Sequence, residues 1–187
     1  MLLNNLNMRR VVILLVLSVF LINVGNAQDK RKLTRKERKE LREKLKEEKI
    51  KFVDSIIEQR KFVLEADYIM NRKGESFSVS SNINFIYIDS ATAVFQFGST
   101  YLIGVNGVGG VTVEGKIKDY QLTKRKSGSY YIRISVSSSI GFFDINLNIT
   151  STGVADADIS TMSNKKINYS GRIKSLSQSN VYQGRSY

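Results

Sequence analysis

The chain has 187 residues, 42% of them hydrophobic, and a formal net charge of +12 from 29 basic and 17 acidic side chains, which suits one domain with a real core. It contains no Cys, His, Trp or Pro. Without cysteine there is no disulfide, thiolate nucleophile or thiolate metal site, and without histidine the commonest general base and metal ligand are gone, so neither an enzyme nor a cofactor or metal centre is expected.

Arg9 and Arg10 precede an apolar run over 11–24, and Gly25-Asn26-Ala27 places small residues at the two positions that a signal peptidase reads. Together these features describe a cleavable secretory signal over residues 1–27, because the apolar run is shorter than the ~20 residues of a spanning helix. The mature chain, from Gln28, is therefore expected outside the cytoplasm, in a periplasm or cell envelope. An exported chain without disulfides fits a bacterial periplasm better than a eukaryotic secretory route.

Residues 28–60 read as a basic amphipathic helix. Between 29 and 51 there are twelve basic and six acidic residues, a net +6. Thr34 and Glu37 form a capping box that starts the helix near Arg35. Leu41, Leu45, Phe52 and Ile56 fall on one helical face, widened by Val53 and Ile57. The first half is expected to project into solvent and the second to dock on the domain that follows. Arg31, Lys32, Arg35, Lys36, Arg38 and Lys39 are candidate contacts to an anionic envelope component such as lipid headgroups or lipopolysaccharide phosphates, which would give peripheral membrane contact. The alternative is a solvated spacer and lid. No aromatic residue interleaves with the basic ones, so nucleic acid is not an expected partner.

From 61 to 175 the pattern changes to period two. Phe62, Leu64, Ala66 and Tyr68 share one strand face, and Asn71-Arg72-Lys73-Gly74 is a turn. Phe77, Val79, Ile83, Phe85 and Tyr87 line one face of a single long strand, whose end, with Ile86 and Ile88, is apolar on both faces and so central or covered by the helix. Strands follow over 92–97, 111–116 and 120–124, and Lys126-Ser127-Gly128 closes a hairpin. Tyr130, Ile132, Ile134 and Val136, then Phe143, Ile145, Leu147 and Ile149, give the clearest alternation. Two last strands occupy 154–160 and 167–173. Nine short strands at this spacing predict an all-β fold, an antiparallel meander forming a small barrel or strongly curved sheet. The polar tail, 176–187, is expected to fray. An outer-membrane barrel is disfavoured, because Arg133, Asp144, Asp156 and Asp158 would face lipid.

Gly104, Gly107, Gly109 and Gly110 are followed by a strand and not a helix, so they read as a mobile loop or bulges, not a phosphate cradle. Asp156 and Asp158, two apart on one face, are too few for a hard-cation site. The aromatic residues are more suggestive. Phe85, Phe95, Phe97, Tyr120 and Tyr130 are candidate ligand-binding residues that would line a barrel mouth or cleft and hold a small apolar ligand, the alternative being plain core. The leading functional expectation is a non-catalytic binding module. Its rival is a structural or interaction protein of the envelope that docks through the basic helix.

Several short motifs together resemble the domain of unknown function 4251 family, small exported proteins of Bacteroidota. They are the signal ending in Ala27-Gln28, the Lys/Glu-rich helix, Phe62-Val63-Leu64-Glu65-Ala66-Asp67, Gly98-Ser99-Thr100-Tyr101, the glycine loop, 115–120 and Tyr169-Ser170-Gly171-Arg172-Ile173. Where the family pattern has Leu-Pro-Tyr before the middle glycine, this chain has Phe95-Gln96-Phe97. The resemblance implies export and a β fold and brings no activity or catalytic residue with it.

Overall fold

The structure, a computed structural model, describes residues 33–71, 73–99, 104–161 and 166–186. The export segment, with Arg31 and Lys32, lies outside these residues. The described residues divide into two units, parted between residues 41 and 42. In the first, the capping box closes as the sequence requires: the Glu37 backbone N–H donates to Thr34 Oγ1 at 3.2 Å, and Thr34 N–H donates to Glu37 Oε2 at 2.8 Å. These bonds hold the Glu37 carboxyl below its usual range and start helix α1 (Arg35–Glu58).

In the second unit the helix stays exposed through Lys49, and only its last turns bury a face: Val53, Ile56 and Ile57 are in the core, with Phe52 half-buried. The helix ends where Arg60 takes a left-handed conformation, φ 54°, and turns the chain into the sheet.

Nine strands follow among the described residues: β1 (Lys61–Met70), β2 (Ser76–Ser78), β3 (Phe85–Asp89), β4 (Thr92–Phe97), β5 (Val111–Lys124), β6 (Tyr130–Ser138), β7 (Gly141–Ile149), β8 (Val154–Thr161) and β9 (Lys166–Lys174). All pairings between them are antiparallel and join neighbours along the chain, except that β3 also pairs with β1 and β9 returns to β1 from Val63↔Lys174 to Met70↔Asn168. That last pairing closes eight strands into a barrel, and β2 is a short spur on the far half of β1. A closed up-and-down barrel sorts alternate residues in and out. Thus Ile132, Ile134 and Val136 of β6 meet Ile145 and Leu147 of β7, and Ala155, Ala157 and Ile159 of β8, in one fully buried interior.

Two strand boundaries differ from the period-two reading, and the differences cancel in the count. The stretch over 77–87 is not one strand: turns over 81–83 break it into β2 and β3, with the Ile83 amide bonded back to Ser80. As a result Ile86 and Ile88 point inward, while Phe85 and Tyr87 point out. Conversely, 111–124 is a single strand, because a bulge between Ile117 and Asp119 absorbs the phase shift that looked like a break.

Through residue 186 the tail does not fray. Leu176 and Val181 pack on an outer apolar cluster of Val63, Phe85 and Val94, and the Tyr182 amide donates to the Asn82 carbonyl at 2.7 Å. The second apolar face of β3 is thus covered by the tail and not by the helix. The glycine loop is braced as well: Asn106 Oδ1 accepts from the Val108 and Gly110 amides at 3.0 and 2.9 Å.

Candidate functional site

Strand alternation gives the barrel two distinct ends. At one end, where β1 begins, α1 seats its last turns, and Tyr130 and Tyr120 belong to this end. Tyr130 is fully buried, and its hydroxyl donates to Asp54 Oδ1 at 2.6 Å, while Lys124 Nζ lies 2.9 Å from Asp54 Oδ2. The Tyr130 hydrogen bond, with help from Lys124, holds the Asp54 carboxyl below its usual range. Tyr120 lies beneath the Arg60 guanidinium, 4.4 Å from its ring centre. Burial pushes its phenol up to about 12. Tyr130 thus fastens the lid through Asp54, and Tyr120 packs against the turn that follows the helix, its hydroxyl buried without a hydrogen-bond partner among the described residues.

The middle of the barrel is filled. Phe95 meets Phe143 edge to face at 4.8 Å. Tyr169 crosses the interior from β9, and its hydroxyl donates to the Gln96 carbonyl of β4 at 3.0 Å. Phe85, by contrast, lies on the outside of the wall, under Leu176 and Val181.

Of the five candidate aromatic residues, Phe97 lines the clefts at the barrel mouth. β1 and β4 leave the barrel at the end opposite the lid, and β9 enters there. Two clefts of about 360 and 420 Å³ lie at this mouth and share Ile69, Phe77 and Phe97. Val79 and Ile83 extend the first, and Met70 and Ile167 the second, where Lys73 and Lys166 stand at the edge. Phe77 and Phe97 are 53% and 39% exposed, which is unusual for two neighbouring phenylalanines unless something covers them. The sequence therefore brings one candidate to the site, and the structure adds Phe77 and Ile69. Phe77 was visible as an apolar strand residue and Ile69 lies just past the first predicted strand, but nothing in the periodicity marks the end of a barrel.

The other candidate groups are distributed as follows. Arg35, Lys36, Arg38 and Lys39 are exposed on α1, with Lys36 4.0 Å from Glu40. Asp156 accepts from Ser170 Oγ at 2.5 Å, and Asp158 from the Asn168 carboxamide and from Lys166 Nζ at 3.1 Å. Each of these carboxylates thus has neutral or cationic neighbours within its own sheet.

The fold defines the class: a small closed antiparallel β-barrel with a helical lid at one end and an apolar mouth at the other. The chain belongs to the family described as domain of unknown function (DUF4251), which it matches over residues 44–173. It is also similar to the crystal structure of a DUF4251 family protein from Bacteroides eggerthii DSM 20697, with 30% sequence identity and a TM-score of 0.61 over 74% of this chain and 95% of the other. No curated protein matches it.

Proposed function

We propose that the protein is a non-catalytic binding module of the cell envelope, exported by its N-terminal signal, whose barrel mouth takes a small apolar ligand. The observation that carries this reading is the pair of clefts joined at Ile69, Phe77 and Phe97, each within the ~300–1,000 Å³ typical of small-molecule sites. The filled interior beneath limits the ligand to the depth of the mouth, which suits a chain-like or flat molecule lying along Phe77 and Phe97. A chain without His and Cys has few means to transform such a ligand and ample means to hold it.

The test uses dansyl-labelled undecanoic acid as the probe. Saturable fluorescence enhancement is expected with the intact protein, together with a raised unfolding temperature, since a ligand bound only to the native state stabilises it. Phe77→Asp and Phe97→Asp should each weaken binding at least about tenfold, roughly 1.4 kcal/mol. No saturable binding, or binding indifferent to both substitutions, would refute the reading.

A second reading has its own support. Leu41 and Leu45, one helical turn apart on α1, are 45% and 54% exposed among exposed basic residues, a pattern suited to docking on an anionic surface. Here the protein should sediment with phosphatidylglycerol vesicles and not with phosphatidylcholine ones. Reversing Lys36 and Lys39 to Glu should release it, and equal sedimentation with both lipids would exclude this role.

A further inference from the structure

Outside the barrel, the segment 175–186 opens with a short 3-10 turn (Leu176–Gln178) and crosses β1, β3, β4 and β5 as a strap. Its course begins on the apolar patch of Val63, Phe85 and Val94 and then meets side chains that would be costly to bury alone. Gln96 and Thr112 are fully buried and Asn106 is 2% exposed, although Gln96 and Thr112 belong to outward positions of their strands. Gln96 binds the strap backbone at two points: Nε2 donates to the Tyr182 carbonyl at 2.9 Å, and Oε1 accepts from the Gly184 amide at 2.8 Å. The Arg185 amide donates to the Asn106 carbonyl at 3.0 Å, Ser179 Oγ donates to Glu65 at 2.8 Å, and Ser186 pairs in parallel with Thr112.

A size filter completes the arrangement. A Cβ on Gly184 would lie 2.4 Å from the Asn106 carbonyl oxygen and 3.1 Å from Val108 Cγ2, so no other residue fits there without displacing backbone. An apolar floor, a buried carboxamide and a buried carbonyl that read main chain, and one steric filter are what a groove needs to recognise a peptide. The same side chains also hold the mouth. Thr112 Oγ1 donates to Gln96 Oε1 at 2.7 Å and accepts from Asn106 Nδ2 at 3.1 Å. Asn106 in turn braces Val108 and Gly110, Val108 O accepts from the Ser99 amide, and Gln96 Nε2 also reaches the Ile83 carbonyl at 3.0 Å. Ile83, Gly98 and Ser99 line the first cleft.

We propose that the outer wall is a peptide-recognition groove whose ligand is the segment 176–186, held as a separable ligand, and that its occupancy locks the loop beside the mouth. The groove works in this way whether or not the mouth takes an apolar molecule.

The test is made on the full chain carrying a protease site inserted after Ser175. After cleavage, the strap should stay bound through gel filtration and exchange for a fluorescent peptide of residues 176–186, followed by anisotropy. The same peptide with Gly184→Val should bind at least about tenfold more weakly, as a displaced backbone contact of this kind implies. Washing out the strap should raise hydrogen exchange at the Val108 and Gly110 amides at least about tenfold, and added peptide should restore it. A folded, strap-free barrel that ignores the peptide overturns the proposal, as does equal binding of the Gly184→Val peptide or exchange that is unmoved by strap loss. If the cleaved barrel unfolds as the strap leaves, recovery of its circular dichroism on adding peptide is the readout, and failure of rescue overturns the proposal equally.

Discussion

Gly171→Ala is expected to open the barrel. Gly171 pairs with Ala66 on the seam between β9 and β1, just where the register shifts between Ala66 and Tyr68. A Cβ there would meet the Glu65 carbonyl oxygen at 1.9 Å and the Ala66 Cα at 2.8 Å. These are main-chain atoms of a paired strand and cannot rotate aside as a side chain would. The strands must separate locally, which costs about 3 kcal/mol or more, the upper range for overpacking a filled site. At ~2–4 °C per kcal/mol for a chain of this size, the melting temperature should fall by about 6–12 °C, with faster amide exchange on both seam strands. Calorimetry within about 2 °C of the parent, on the same scale, would mean that the seam gives way more easily than its geometry implies.

The second large effect concerns the lid. Ile57 is fully buried in the core cluster, whereas Leu45, on the same helix and of similar size, is 54% exposed. Ile57→Ala should therefore cost about 2–5 kcal/mol, the range for emptying an aliphatic core site. Leu45→Ala should stay within about 0.5 kcal/mol, as surface changes do. Paired denaturant titrations decide the matter: two equal losses would make the whole helix structural, and two negligible ones would make the lid a spacer that merely rests on the barrel. The contrast matters for function too, because a leucine that contributes nothing to folding is free to meet a partner.

These two sites also mark what the sequence could and could not disclose. Alternation through Tyr130 to Ile149 defined the inward face correctly, because a one-residue slip would have sent every apolar side chain into water. The same rule misled at Phe85 and Tyr87. There both faces are buried, so alternation carries no direction, and the covering element came from a tail too polar to look like structure. What anchors that tail is backbone read by Gln96, and main-chain hydrogen bonds leave no trace in hydropathy. Gln96 stands at the place where the chain departs from the pattern it otherwise resembles. The candidate site fared similarly. Aromatic content pointed to a cleft, yet Tyr120, Tyr130, Phe85 and Phe95 were assigned by the fold to lid, wall and interior, leaving Phe97 at the mouth with Phe77. Residue type records a preference for burial; which cap, wall or rim provides it is decided by long-range pairing.

The meander has a further consequence for how the molecule comes into being. From β4 onward each strand can add to the one made just before it, and β3 adds to β1 across the short spur β2; the seam that joins β1 to β9 alone spans nearly the whole sheet. During synthesis β1 therefore waits, one edge unpartnered and rich in valine, leucine and phenylalanine, until almost the entire polypeptide has emerged. An interrupted or shortened product would keep that adhesive border permanently open to another chain.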